Sequence, residues 1–162
     1  VIQKPSRVYV ASSWRNIMQV GVVAALRSAG IDCYDFKHPA PGNDGFHWSE
    51  VMSSYRKVGP GSAEQLADEK DYLEALSHPI AEAGYKADFD AMQSCDACVL
   101  VLPCGRSAHL ELGWFVGQGK RTAILLDGDM NGGKVTPELM YKMVDYVSPS
   151  LFDLLGWLGV ED

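Results

Sequence analysis

The sequence predicts an α/β fold of the doubly wound, flavodoxin-like or Rossmann-like kind, with three layers built on a five-stranded parallel sheet. Three observations predict it. The runs Arg7–Ala11 (RVYVA), Ala97–Leu102 (ACVLVL) and Arg121–Leu126 (RTAILL) are almost wholly apolar, as strands buried on both faces are. Segments with helical apolar spacing lie between them. Strand and helix alternate along the chain, the order that yields right-handed βαβ crossovers, and the strands are expected in the order 2-1-3-4-5.

After a short polar lead-in, VIQKPS, the first strand is Arg7–Ala11. Ser12–Asn16 is a loop, and Asn16 is placed to cap a helix over Ile17–Ala29. Ile17, Val20, Val23, Ala24 and Leu26 repeat at helical spacing, and Gly30 closes the helix. Ile31–Phe36 alternates as the second strand. Lys37–Gly61 is irregular, rich in proline, glycine, histidine and aromatic residues; in a compact domain such an excursion is usually a lid or binding loop. Ser62 and Gln65 match a capping box for a helix anchored by Leu66, Leu73 and Leu76. Pro79 opens the next helix, which continues to Ser94 with Ala83, Ala87, Ala91 and Met92 as its apolar positions. Beyond the third strand, a turn on Pro103–Gly105 leads into a helix around Ser107–Gly117, and Gly117–Lys120 turns into the fourth strand. Asp127–Lys134 is a polar loop, and Thr136-Pro137-Glu138 begins a short helix through Met143. Val144–Val147 reads as an edge strand. Ser148-Pro149 supplies an N-cap and a first-turn proline for a last helix ending near Gly159. With no repeat, linker or low-complexity tract, residues 1–162 are expected to form a single domain.

A net charge of −7 disfavours nucleic-acid polymers and anionic membranes as partners, while leaving room for a small anionic ligand held by local donors. No apolar run approaches the roughly 18 residues of a membrane span. No signal-peptide pattern is visible, so a cytoplasmic protein is expected. Cys95 and Cys98 form a C-x-x-C without a second ligand pair, and His38, His47 and His78 lack metal-ligand spacing. Cys33, Cys95, Cys98 and Cys104 are therefore expected as free thiols, with neither metal nor cofactor. There is no GxGxxG or Walker pattern to hold a dinucleotide or nucleoside triphosphate.

Three segments meet at the carboxyl edge of such a sheet: Ser12–Asn16, Gly105–Glu111 and Asp127–Asn131. Glu111 stands out. A carboxylate in the first turns of a helix is kept ionised by the macrodipole, and in a crevice it can attack an anomeric carbon; position alone equally allows an ordinary helix charge. Asp88 and Asp90 point to different sides of their helix, so at most one faces the crevice as a second acid, and a solvated face is the alternative for both. Ser12, Ser13, Arg15, Arg106 and Ser107 offer hydroxyls and guanidinium groups for a phosphate. Tyr9, Trp14, Phe46 and Trp48 are candidates for stacking on a base, although packing is their commoner use. His109 lies on a different helix face from Glu111 and reads as structural.

These stretches resemble the nucleoside 2-deoxyribosyltransferase-like family, which also contains the 2'-deoxynucleoside 5'-phosphate N-hydrolases. The resemblance rests on Val8-Tyr9-Val10-Ala11-Ser12, on DFDAMQSCD at Asp88–Asp96, and most specifically on GRSAHLELGWFVGQGK at Gly105–Lys120. It implies that Glu111 is the nucleophile, that Asp88 assists at the base and that Tyr9 orients the glutamate. It also implies that Ser12, Ser13, Gly105 and Ser107 contact sugar or phosphate. The first loop, ASSWRN, lacks the glycine usual there, and Lys37–Gly61 has no clear counterpart.

The expected activity is cleavage of the N-glycosidic bond of a nucleoside or its 5'-monophosphate, with transfer of the sugar to another base or to water. An NAD-cleaving glycohydrolase and a nucleotide-binding sensor without turnover are the alternatives. A homodimer or larger homo-oligomer is expected, formed through Leu112, Phe115 and Val116 or through Leu154–Leu158; otherwise both faces simply pack on the sheet.

Overall fold

Residues 3–160 are described by a computed structural model; Val1 and Ile2 of the polar lead-in lie outside the described residues, as do the last two. Five strands, β1 (Arg7–Ala11), β2 (Asp32–Asp35), β3 (Ala97–Val101), β4 (Arg121–Leu125) and β5 (Tyr146–Ser148), form one sheet in the order β2-β1-β3-β4-β5. Every pairing is parallel, as expected. The winding reverses between β1 and β3, so the loops after these two strands flank the crevice where such sheets bind ligands.

Each face of the sheet is covered by helices. Val8, Val10, Val99, Val101, Ala123 and Leu125 pack under α1 (Gln19–Ser28) and α5 (Leu151–Trp157). Tyr9, Ala11, Cys98, Leu100 and Ile124 pack under α3 (Pro79–Ser94) and α4 (Arg106–Gly117). Residue alternation along each strand divides the two sets, and β3 is buried along its whole length. The short α2 (Glu69–Leu76) lies against α3 and buries only Ala75.

Several local expectations are corrected. α1 buries Gln19, Val22, Val23 and Leu26, whereas Ile17 and Val20 are 58% and 55% exposed. The helix begins only at Gln19, so Ile17 lies ahead of it, and Val20 falls outside the stripe formed by Gln19, Val22, Val23 and Leu26. Gln19 Nε2 donates to Asp35 Oδ1 at 2.8 Å, while its Oε1 has no partner among the described residues. Asn16 is not the cap of α1: its Oδ1 accepts from Met18 N at 2.8 Å in the turn ahead of the helix, and Met18 stands at the N-cap without a side-chain cap bond. The Ser62–Gln65 box does not form. Ser62 Oγ bonds Gly59, the Gln65 amide bonds the Arg56 backbone, and α2 starts only at Glu69 with Asp68 as its cap. Leu66, Leu73 and Leu76 are exposed. The last helix is capped by Ser150, whose Oγ accepts from Asp153 N, while Ser148 belongs to β5. Leu112, Phe115, Leu154 and Leu158 are buried in this chain's own core, so they are not surfaces left over for a second subunit. The four cysteines are free thiols, with Cys33, Cys95 and Cys98 buried. No helix among the described residues is long and apolar enough to cross a membrane.

Candidate active site

Two tyrosines and two carboxyls meet on the α3/α4 face of the sheet. The β1–β2 register sets Tyr9 beside Tyr34, and their rings stack with centroids 5.3 Å apart. Phe115 backs Tyr9 from α4 at 5.6 Å. Above them, Asp88 lies on the stripe of α3 that also carries Ala81, Ala91 and Met92, and Glu111 on the stripe of α4 that carries Ala108, Leu112 and Phe115. Spacings of three and four residues put each carboxyl on its helix's inward side. Asp90 points away and pairs with Lys86 at the surface. The sheet and two helices thus bring Tyr9, Asp88 and Glu111 together.

The electrostatics follow from burial. Tyr34 Oη donates to Asp88 Oδ1 at 2.8 Å. Even so, burial pushes Asp88 up to about 6. Glu111 is pushed up to about 8, first by burial and then by the charge of Asp88, with Tyr9 acting in the opposite sense. Tyr9 Oη faces the Glu111 carboxyl closely enough to favour its ionised form, yet misses hydrogen-bond geometry as the side chains rest. It is left a buried hydroxyl without a partner. Both phenols are driven upward, mainly by burial, and stay protonated donors. The helix dipole therefore does not keep Glu111 ionised. Its effect fades beyond the first turn, Glu111 stands in the second, and desolvation beside a like charge is the larger force. Near neutral pH the two carboxyls hold one proton between them.

The other candidates divide. Ser12 Oγ is engaged on both sides, donating to Val101 O at 2.9 Å and accepting from Asn16 Nδ2 at 3.0 Å. Ser13 Oγ accepts from Arg15 N. The first loop is thereby tied to the end of β3, and the Arg15 guanidinium has no ion-pair partner among the described residues. Gly105 is the N-cap of α4; its carbonyl accepts from His109 Nδ1 at 2.8 Å, while His109 Nε2 meets Tyr141 Oη at 2.9 Å. His109 is therefore a clamp on this turn. Arg106 and Ser107 are exposed, and Arg106 pairs with Glu64 at 3.3 Å.

Among the stacking candidates, Tyr9 is fully buried and cannot meet a ligand ring. Trp14 packs on His47 and Phe36, and Trp48 on Phe46 and Tyr72. Phe46 instead lines a cavity of about 190 Å³ between the 37–61 excursion and α3, together with Tyr34, Phe36, Asn43, Glu50 and Asp88. Two glycines let the excursion approach. A Cβ on Gly84 would stand 2.7 Å from Phe46 Cβ, and one on Gly45 would stand 2.3 Å from Phe36 O. Tyr34, Asn43 and Glu50 were missed in the sequence; the Tyr9–Tyr34 register was the one signal for Tyr34, available once the strand order is assumed. No group of three or more His, Cys, Asp or Glu among the described residues is arranged to hold a metal ion.

Comparison with known proteins adds the fold. No protein-family model matches the chain, and no curated protein matches it. A 2-deoxyribosyltransferase from the psychrotolerant bacterium Bacillus psychrosaccharolyticus is similar in structure, with a TM-score of 0.51 and 14% identity over 91% of this chain and 89% of that one. A conserved protein from Enterococcus faecalis V583 superposes with a TM-score of 0.54 and 16% identity over 95% of this chain and 97% of the other. At such identities the likeness is one of fold.

Proposed function

We propose that this chain cleaves the N-glycosidic bond of nucleosides or nucleoside 5'-monophosphates, with Glu111 as nucleophile. The observation that carries this is the carboxyl pair: two inward-facing acids on α3 and α4, set beside two phenols, with Asp88 bonded by Tyr34 and lining a cavity of about 190 Å³. The fold likeness to a 2-deoxyribosyltransferase supports sugar transfer from nucleosides as the coarse activity.

The productive arrangement of the shared proton has Glu111 ionised and Asp88 protonated. The Glu111 carboxylate attacks C1' of the sugar as the bond from C1' to the base nitrogen breaks, and the departing base takes the proton of Asp88. The Tyr9 hydroxyl, free in the resting protein, donates to Glu111 and stabilises its ionised form. The sugar ester on Glu111 is then opened by water or by a second base, which loses its proton to the Asp88 carboxylate. The guanidinium of Arg15, which has no ion-pair partner among the described residues, is suited to a 5'-phosphate.

Base release from a panel of nucleosides and their 5'-monophosphates tests the proposal. Glu111→Ala should lower turnover at least about a thousandfold, as loss of a nucleophile does; undiminished release by that variant overturns the assignment. The upward shift of Glu111 to about 8, caused by burial and by Asp88, favours a second reading, a nucleotide-binding sensor, because it disfavours the ionised nucleophile near neutral pH. Saturable binding with no product after prolonged incubation would select it.

A further inference from the structure

Resting on the roles given to Glu111 and Asp88 above, we infer that the cavity between the 37–61 excursion and α3 receives the leaving base, and that Glu50 at its rim selects bases carrying an exocyclic amino group over their keto counterparts. Asp88 belongs both to the carboxyl pair and to the cavity lining, whereas Glu111 and Tyr9 do not line the cavity. A group that receives the Asp88 proton as it leaves C1' therefore lies on the cavity side of Asp88, with the sugar on the Glu111 side.

The walls suit a flat heterocycle. Phe36, Phe46, Pro39 and Ile80 provide apolar surface, with Phe46 seated on Gly84, and Ala83 and Ala87 keep the rest of this stretch of α3 small. The polar groups are few. The Asp88 carboxyl is one, with Tyr34 Oη donating to it. At the rim, Glu50 Oε2 accepts from His47 N at 2.8 Å, which fixes the carboxylate and leaves Oε1 without a protein partner among the described residues. Asn43 Oδ1 accepts from Gly45 N at 2.9 Å, so its Nδ2 is left to donate.

An ionised carboxylate accepts hydrogen bonds and cannot donate. Facing an amino group it gains a charge-assisted bond; facing a carbonyl oxygen it meets lone pairs, and one polar group of the pair stays unpaired. Asn43 Nδ2 supplies the donor that the ring nitrogen beside such an amino group requires. Sites that read one polar group in this way discriminate strongly against the analogue that lacks it.

The test uses the full chain and two matched pairs of probes, 2'-deoxyadenosine with 2'-deoxyinosine and 2'-deoxycytidine with 2'-deoxyuridine, as nucleosides and as 5'-monophosphates. The ratio of kcat/KM for the amino over the keto member should be about tenfold or more for the parent protein. In Glu50→Gln, whose one oxygen is held by His47 N and whose Nε2 is left to face the base as a donor, it should fall to about one or below. Because Glu50 is exposed and glutamine can still accept from His47 N, the variant keeps the local fold. Equal use of both members by the parent, or an unchanged ratio in Glu50→Gln, overturns the inference while leaving the role of Glu111 intact. If the parent releases no base from any probe, the proposed activity fails instead. The same ratio, read as Kd for the four nucleosides by calorimetry, then decides whether Glu50 selects amino bases in a binding site.

Discussion

Glu111→Gln should make the protein more stable, and by an amount that depends on pH. In an unfolded chain this carboxyl ionises near 4.5, whereas in the folded protein it is held up to about 8 by burial and by Asp88. Its contribution to stability is therefore intact below about pH 4.5, where both states are protonated, and is lost as pH rises toward about 8, because only the unfolded state ionises easily. At pH 7 the gap corresponds to about 3 kcal/mol, at roughly 1.4 kcal/mol for each pKa unit. Glutamine fills the same space and carries no titrating proton. For a chain of 162 residues this difference corresponds to a rise in Tm of roughly 6 to 10 °C at pH 7. Thermal and urea unfolding of parent and variant, run from about pH 4 to about pH 8, reads it directly. The two curves should meet at the acid end and diverge steadily above it. A variant that is less stable at pH 7, or a difference that does not change with pH, would refute the placement of Glu111 as a buried carboxyl beside a like charge.

Four further outcomes are expected. Tyr9→Phe removes a buried hydroxyl that has no partner, so unfolding should show stability unchanged or raised by about 1 kcal/mol, while base release falls about tenfold or more. The pH profile of kcat/KM should be bell-shaped with limbs near about 6 and about 8, because only the singly protonated pair holds both a nucleophile and a proton donor. Gly84→Ala should push Phe46 off α3, since the new Cβ would lie 2.7 Å from Phe46 Cβ; overpacking predicts a cost of about 1 to 3 kcal/mol in unfolding and a raised KM. Arg15→Ala should weaken use of 5'-monophosphates about tenfold relative to the parent nucleosides, measured as the ratio of their KM values.

Much of the fold was legible because the signals were redundant. β1, β3 and β4 are apolar runs that admit no competing assignment, and their spacing by helices leaves few topologies. The failures occurred where a side chain chose an unexpected partner. Gln19 looks like a surface residue, yet it is buried on the same stripe as Val22, Val23 and Leu26 and bonds Asp35, while Val20 is exposed and Ile17 precedes the helix. Ser62 and Gln65 have the pattern of a capping box, yet both side chains serve the preceding loop. Pairing and bonding of this kind are settled by tertiary contacts that no local pattern encodes. At the site, helical spacing was enough to put either Asp88 or Asp90 inward, and the motif around Glu111 singled it out. What could not be read was the direction in which Glu111 titrates. That depends on how close Asp88 comes and how little water reaches the pair. Nor could the lining of the 37–61 cavity be read, since it exists only once Gly45 and Gly84 let the excursion close on β2 and α3.

The role of Glu111 is tested most directly by acid-quenching the protein during turnover of a nucleoside and mapping its peptides by mass. A single sugar ester on the peptide that carries Glu111, absent from Glu111→Gln, is the predicted result. Base release that proceeds with no adduct on that peptide, and at the same rate in Glu111→Gln, would contradict it.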